Sequence, residues 1–333
     1  DEDVAVAVSS LRPVVAYTAQ AGWSRAEVGT AGGTTVAEGL SASLALSAEL
    51  TLFDFGRRKL GIEIAKESVL ATRQALVQVE QNVLLATVQA YVDVRLAQDV
   101  VALRQSNLRL ITQELRAAQD RFDVGEITRT DVSIAEARLA ASRAALAAAQ
   151  GQLMIAREAY KAATGAYPGK LAPPPKAPAL PRTMEEAQGV ARGTHPLIRQ
   201  AQHQVTVADL QVELAKANRA PTIGAGVTLR TDDEGLDSQS LGLTMNQTIY
   251  AGGRLSALQR KALAGKDAAR AALAQMAVNV VENVGVAWAN LAVAAASIEA
   301  SDLQIRASHA AFDGVREEAA AGTRTTLDVL DAE

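Results

Sequence analysis

Few residues in this 333-residue chain have the types and spacing that chemistry requires. His195, His203 and His309 share no ligand spacing with one another or with carboxylates, and there is no cysteine to complete a thiolate site. They read as surface or helix-start residues. Asp54-Phe55-Gly56 has the letters of the kinase metal-binding triplet, but no lysine-bearing strand or catalytic loop accompanies it. Asp232, Asp233, Glu234 and Asp237 offer hard oxygen ligands without EF-hand spacing, so a solvated loop tip is the simpler reading. Asn246-Gln247-Thr248 matches a glycosylation sequon but falls within an alternating strand. No GxSxG or HExxH motif is present, and no nucleophile-base-orienter set stands out. No catalytic residue, resident metal or cofactor is expected. Asp328 and Asp331 lie three apart and therefore share one helix face, where early aspartates complement the helix dipole.

The elements around these residues suggest elongation. Aromatics make up 3% of the chain, too few to anchor several compact cores. Lys and Arg number 33 against 37 Asp and Glu, a net charge of −4 with no basic block, so nucleic acid is not an expected partner. No uninterrupted run of 18 apolar residues occurs, which argues against a transmembrane helix but leaves a β-barrel open. The first residues do not show a charged-apolar-small leader pattern, so if the protein is exported Asp1 is expected to lie within a processed or trimmed chain.

The chain repeats itself. Gly125, Thr128, Asp131, Val132, Ala135 and Glu136 align without gaps on Gly322, Thr325, Asp328, Val329, Ala332 and Glu333. Phe53-Asp54-Phe55-Gly56-Arg57 is echoed by Ile249-Tyr250-Ala251-Gly252-Gly253-Arg254. The first repeat spans 1–166, with a strand pair at about 12–52 and helices at about 57–121 and 129–165. A proline-rich spacer, 167–182, follows. The second repeat, 183–333, has helices at about 183–218, a strand pair at about 221–250 and a long helix at about 254–320. A return helix begins at 325 and is cut short at 333.

Period-two alternation marks four strands of roughly ten to twelve residues each. Leu44, Leu46, Ala48, Leu50 and Leu52 point one way, as do Val15, Tyr17, Ala19, Ala21 and Trp23. In the second pair Ile223, Ala225, Val227 and Leu229 match Leu241, Leu243, Met245 and Ile249. Turns are expected at 29–39 and 231–238. Tyr17, Trp23, Phe53, Phe55 and Tyr250 stand in or near the strand ends, where an aromatic girdle would lie. Two soluble hairpins, each with one face on a core, satisfy the alternation equally well.

The helices are too long for a globule. Val77, Leu84 and Tyr91 recur every seven residues, then Val94, Val101, Leu108 and Leu115 do so in another phase, an a/d seam. Such a proline-free stretch makes a rod of about 100 Å. Four strands cannot close a barrel, whereas three chains would supply twelve.

The order of parts, Leu52-Phe53-Asp54-Phe55-Gly56-Arg57 with its echo, and above all Gly322-Thr323-Arg324-Thr325-Thr326-Leu327-Asp328-Val329-Leu330-Asp331-Ala332 resemble the TolC family of outer-membrane efflux and type I secretion proteins. The resemblance implies an α+β membrane protein forming a homotrimer. Its twelve-stranded barrel would sit in outer-membrane lipid, and long antiparallel coiled-coil helices would form a tunnel in the periplasm. A periplasmic adaptor (membrane fusion protein) and an inner-membrane ABC or other transporter would dock at the far end. The implied gate links are Asp131 and Arg324, and the implied acidic rings are Asp328 and Asp331, where a multivalent cation would block. Where the family's model member has a tyrosine, three residues before the motif glycine, this chain has Ala319. The motif around Arg324 resembles the secretion and multidrug branch, and the lack of cysteine argues against the lipid-anchored one. The alternative is a periplasmic adaptor or structural coiled-coil protein of an envelope transport complex, which should show one helical hairpin flanked by soluble β-domains.

Overall fold

The computed structural model describes residues 1–30, 33–174, 176–235 and 237–332. They fall into two units, Asp1–Val77 with Gly189–Val281, and Gln78–Gln188 with Glu282–Glu333.

In the first unit a short helix α1 (Glu2–Ser9) leads into β1 (Val14–Thr30) and β2 (Gly33–Phe53). The later strands are β3 (Thr222–Asp232) and β4 (Asp237–Asn246). All four form one antiparallel sheet in the order β1-β2-β3-β4. The first hairpin is longer than alternation suggested, with strands of 17 and 21 residues. Its pairing continues from Ala21 opposite Ala42 to Thr30 opposite Gly33, through much of the expected turn, because Thr34, Thr35 and Val36 favour extended backbone. The remaining turn positions, 31 and 32, lie outside the described residues. Since β3 pairs with β2 only between Ser43 and Phe53, the outer part of the first hairpin is a two-stranded ribbon.

The register shifts between Thr51 and Phe53, so Phe53 rather than Leu52 lies opposite Ile223. One extra residue reverses the parity of everything after it, which alternation alone could not reveal. Ile249 also departs from its expected place: β4 ends at Asn246, and Ile249 lies beyond the strand, almost fully exposed.

The helix α2 (Arg57–Asp123) begins directly after β2. Asp54 is buried, and its carboxylate accepts hydrogen bonds from the backbone of Gly56 (3.1 Å) and Arg58 (3.0 Å) and from Arg58 Nε (2.8 Å). The kinase-like triplet is thus a helix cap, with Phe55 and Gly56 at positive φ of 54° and 84° to make the turn. Arg57 donates to the carbonyls of Ala217 (3.0 Å) and Ala220, fastening α2 to the end of α5 (Pro196–Ala217). A shorter helix, α4 (Met184–Thr194), precedes α5, and the break falls at Pro196. His195 caps α5 by accepting from Leu197 N–H (3.3 Å), and burial lowers its pKa, favouring the neutral ring that can accept. His203 meets Glu67 of α2 at 2.8 Å.

The second unit contains the remainder of α2, the return helix α3 (Arg129–Thr164), the distal part of α6 (Arg254–Ala320) and α7 (Thr326–Ala332). Val94 and Val132 are fully buried, and Ala118 packs with Ala135, Leu115 and Ile127. The spacer after α3 is pinned at the Ala172 carbonyl by Tyr91 Oη and Arg95, and Tyr167 donates to Glu158 (2.7 Å). The two heptad phases part company: Val94 is wholly enclosed, whereas Leu84 is 65% exposed. By length and composition α6 also holds a stretch apolar enough to cross a membrane, none of it buried in the single chain. Uninterrupted runs do not display this stretch, because polar residues such as Asn290 and Glu299 punctuate its alanines. The same alanine-rich composition suits close packing against neighbouring helices.

Candidate functional site

Two places are candidates for function, one in each unit. The first is the sheet. Residues opposite one another on neighbouring strands share a face, and the register yields rows across all four strands. On one side lie Val15, Ala48, Val227 and Leu241, then Leu50, Ala225 and Leu243, then Phe53, Ile223 and Met245. Tyr17, Leu46 and Leu229 form a further row, and Trp23 with Leu40 the outermost apolar one. Leu241 is 82% exposed and Leu40 73%, so this face has no cover within the chain. On β1 and β2 the next rung on the same side is the Arg25–Glu38 ion pair (3.9 Å), and on β3 and β4 the polar residues Gln239, Thr231 and Asp237 end the apolar surface earlier, beside Leu46 and Leu44. Phe53 stacks edge-on with Phe55 (4.7 Å between centroids) at the opposite end. The other side of the sheet is small and polar, with Ala16, Ser47, Thr228 and Ser240 in one row.

The second place is the pair of repeat motifs in the other unit. Both long helices end alike. Gly125 and Gly322 take φ of 84° and 77°. Glu126 N–H returns to Arg121 O (2.9 Å) and Thr323 N–H to Glu318 O (3.0 Å), closing both helix ends. The next helix then starts on a capping box in each case. Asp131 accepts from Thr128 N–H (2.9 Å) and Oγ1 (2.7 Å), and Asp328 from Thr325 N–H (2.8 Å) and Oγ1 (2.9 Å). The hydroxyl bond of Thr128, with its backbone N–H, lowers the Asp131 pKa; for Asp328 the backbone bond of Thr325 comes first.

Gly, Thr and Asp, which the repeats share, therefore build the turn. What differs between repeats is the rest. Arg324 aligns with Ile127, and its Nε donates to Glu318 (2.9 Å). Asp331 aligns with Ile134 and pairs with Arg138 of α3. Within one chain Asp131 and Arg324 thus have different partners, and Asp328 and Asp331 are not equivalent. Sequence reasoning missed Arg138, which no motif marks. It also missed the capping role of both threonines, which the spacing Thr-x-x-Asp displays openly.

A sheet with one uncovered apolar face, bearing Trp23 toward one end and Phe53 at the other and followed by 67-residue helices, fits a subunit of an outer-membrane channel. The family model described as outer membrane efflux protein matches residues 1–166 and 189–333, and the chain belongs to that family. It is 34% identical over 342 residues to outer membrane efflux protein BepC of Brucella suis, covering all of this chain and 73% of the relative. Identity to the alkaline protease secretion protein AprF of Pseudomonas aeruginosa is 24%, over 86% of this chain and 63% of the relative. Escherichia coli TolC is 28% identical over 76% of this chain and 56% of its own length. Among solved structures, the outer membrane protein VceC from Vibrio cholerae aligns with a TM-score of 0.82 at 18% identity, covering 99% of this chain and 82% of that one. The outer-membrane channel OprN aligns at 0.81 and 23% identity. The chain spans less than two thirds of AprF and TolC. Family membership sets the adaptor alternative aside: the chain is an export-channel subunit of the outer membrane, built as two α+β repeats.

Proposed function

We propose that three copies of this chain close a twelve-stranded barrel and a helical tunnel, forming a passive export duct. The observation that carries this reading is the sheet. It has two open edges, β1 and β4, and an apolar face exposed from Trp23 to Met245. Open edges invite pairing with another chain, and closure by several chains removes them. The uncovered heptad phase through Leu84 and the exposed alanine-rich stretch of α6 add apolar surface that neighbouring helices would cover.

The duct would receive cargo from an inner-membrane transporter, ABC or other, through a periplasmic adaptor. Its periplasmic end would be gated by links from Asp131 and Arg324 and by acidic rings of Asp328 and Asp331. Because Asp131 and Asp328 also cap their helices, any gating role for them is tied to the geometry of the turns. Native mass measurement in detergent tests the assembly. A trimer is expected, and a monomer with intact β-content would overturn the barrel.

A further inference from the structure

The polar face of the sheet carries a charge, Glu49, for which the described residues supply no ion-pair partner. Its rows read Thr18, Ala45, Arg230 and Ser238, then Ala16, Ser47, Thr228 and Ser240, then Val14, Glu49, Gly226 and Gly242. Arg230 has local company. It donates to Ser43 Oγ (3.2 Å), the residue opposite Asp232, so a cation and an anion share the outer end of this face. Glu49 is different. It is exposed, four residues along β2 from Ala45, which lies opposite Arg230, and its row companions are one valine and two glycines. The next row contains only alanine, serine and threonine, and among the described residues Glu49 has no ion pair.

We infer that Glu49 makes the barrel lumen cation-preferring at the end nearer the helices, a charge filter separate from the motifs at the far helix ends. The inference rests on the reading of the apolar face as lipid-facing, which puts Glu49 inside. Threefold assembly would then place three carboxylates in one ring. Twelve strands spaced about 4.8 Å and tilted about 40° enclose a backbone radius of roughly 12 Å. A glutamate reaches several ångströms inward from that wall, so the lumen axis lies within about one Debye length, roughly 10 Å, of each charge at 0.1 M salt. Glycines at 226 and 242 leave the carboxylate accessible instead of walling it in. Cationic solutes are therefore favoured over anionic ones of equal size in passing this ring, most strongly at low ionic strength.

The test reads the potential beside Glu49 directly. The 333 residues contain no cysteine, so single thiols can be introduced cleanly. Ser47→Cys lies two residues away on the same face, about 7 Å along the strand. In the reconstituted full-length protein it should react with a membrane-impermeant, trimethylammonium-bearing methanethiosulfonate faster than with the sulfonate-bearing one. The expected ratio is about three- to ten-fold at low salt, falling toward one in Ser47→Cys/Glu49→Gln and inverting in Ser47→Cys/Glu49→Lys. Leu46→Cys, on the apolar face, should be protected from both reagents. Protection of Ser47→Cys with labelling of Leu46→Cys would overturn the barrel orientation itself. Labelling of Ser47→Cys at a ratio that ignores residue 49 would overturn the charge filter alone.

Discussion

Arg138 of α3 and Asp331 of α7 form an ion pair that ties the two return helices together within one chain. Asp331 is therefore held beside a cation, whereas Asp328 is occupied by its own cap. If the two aspartates form rings at the periplasmic mouth, Arg138 weakens the field of the Asp331 ring. In planar bilayers with hexamminecobalt on the periplasmic side, Arg138→Gln should tighten block by about several-fold, the order expected for removing one partly solvated charge. Asp328→Ala/Asp331→Ala should abolish block. Unchanged block in the double variant would remove both residues from the gate.

The capping boxes predict a pH response. Asp131 and Asp328 have folded-state pKa values below the ordinary 3.8. Their contribution to stability is present above the unfolded pKa and is lost as pH falls through the lowered folded values. Hydrogen exchange at the starts of α3 and α7 should thus stay slow from neutral pH down past 4 and quicken only in stronger acid. Thr128→Val and Thr325→Val should move that loss to higher pH. Fraying that begins near pH 6 would mean other groups control the turns.

Leu46 should face lipid and Ser47 the lumen. Leu46→Arg is expected to destabilise each copy by about 2–4 kcal/mol near the bilayer midplane, multiplied over three copies, and Ser47→Arg by far less. Heat dissociation of the detergent-solubilised assembly measures both. Equal tolerance of the two substitutions would contradict a membrane-spanning sheet.

Arg57 should be indispensable to the joint between sheet and helices. Its guanidinium serves two carbonyls, Ala217 and Ala220, from a half-buried position. Arg57→Ala should lower stability by about 2–4 kcal/mol, since charged hydrogen bonds contribute more than neutral ones. Arg57→Lys should restore little, because a point-like ammonium cannot reproduce the forked donor geometry. Equal midpoints in chemical denaturation for wild type and Arg57→Ala would show that the joint is held elsewhere.

Much of this molecule is written in short-range patterns, and those were legible. Alternation from Leu44 to Leu50 sets strand faces, the heptads through Val94 set a helical seam, and Gly125 and Gly322 stop their helices by a single backbone angle. Each depends on residues a few positions apart, so chain order alone carries the information. The bulge that swaps Phe53 for Leu52 was not legible, because register is settled by the partner strand some 170 residues away. Nor was the pairing of Asp331 with Arg138, or of Arg57 with the end of α5. With 33 basic and 37 acidic side chains present, composition permits over a thousand pairs. Coulomb energy falls with distance in space and takes no account of distance along the chain, so only the folded backbone selects among them.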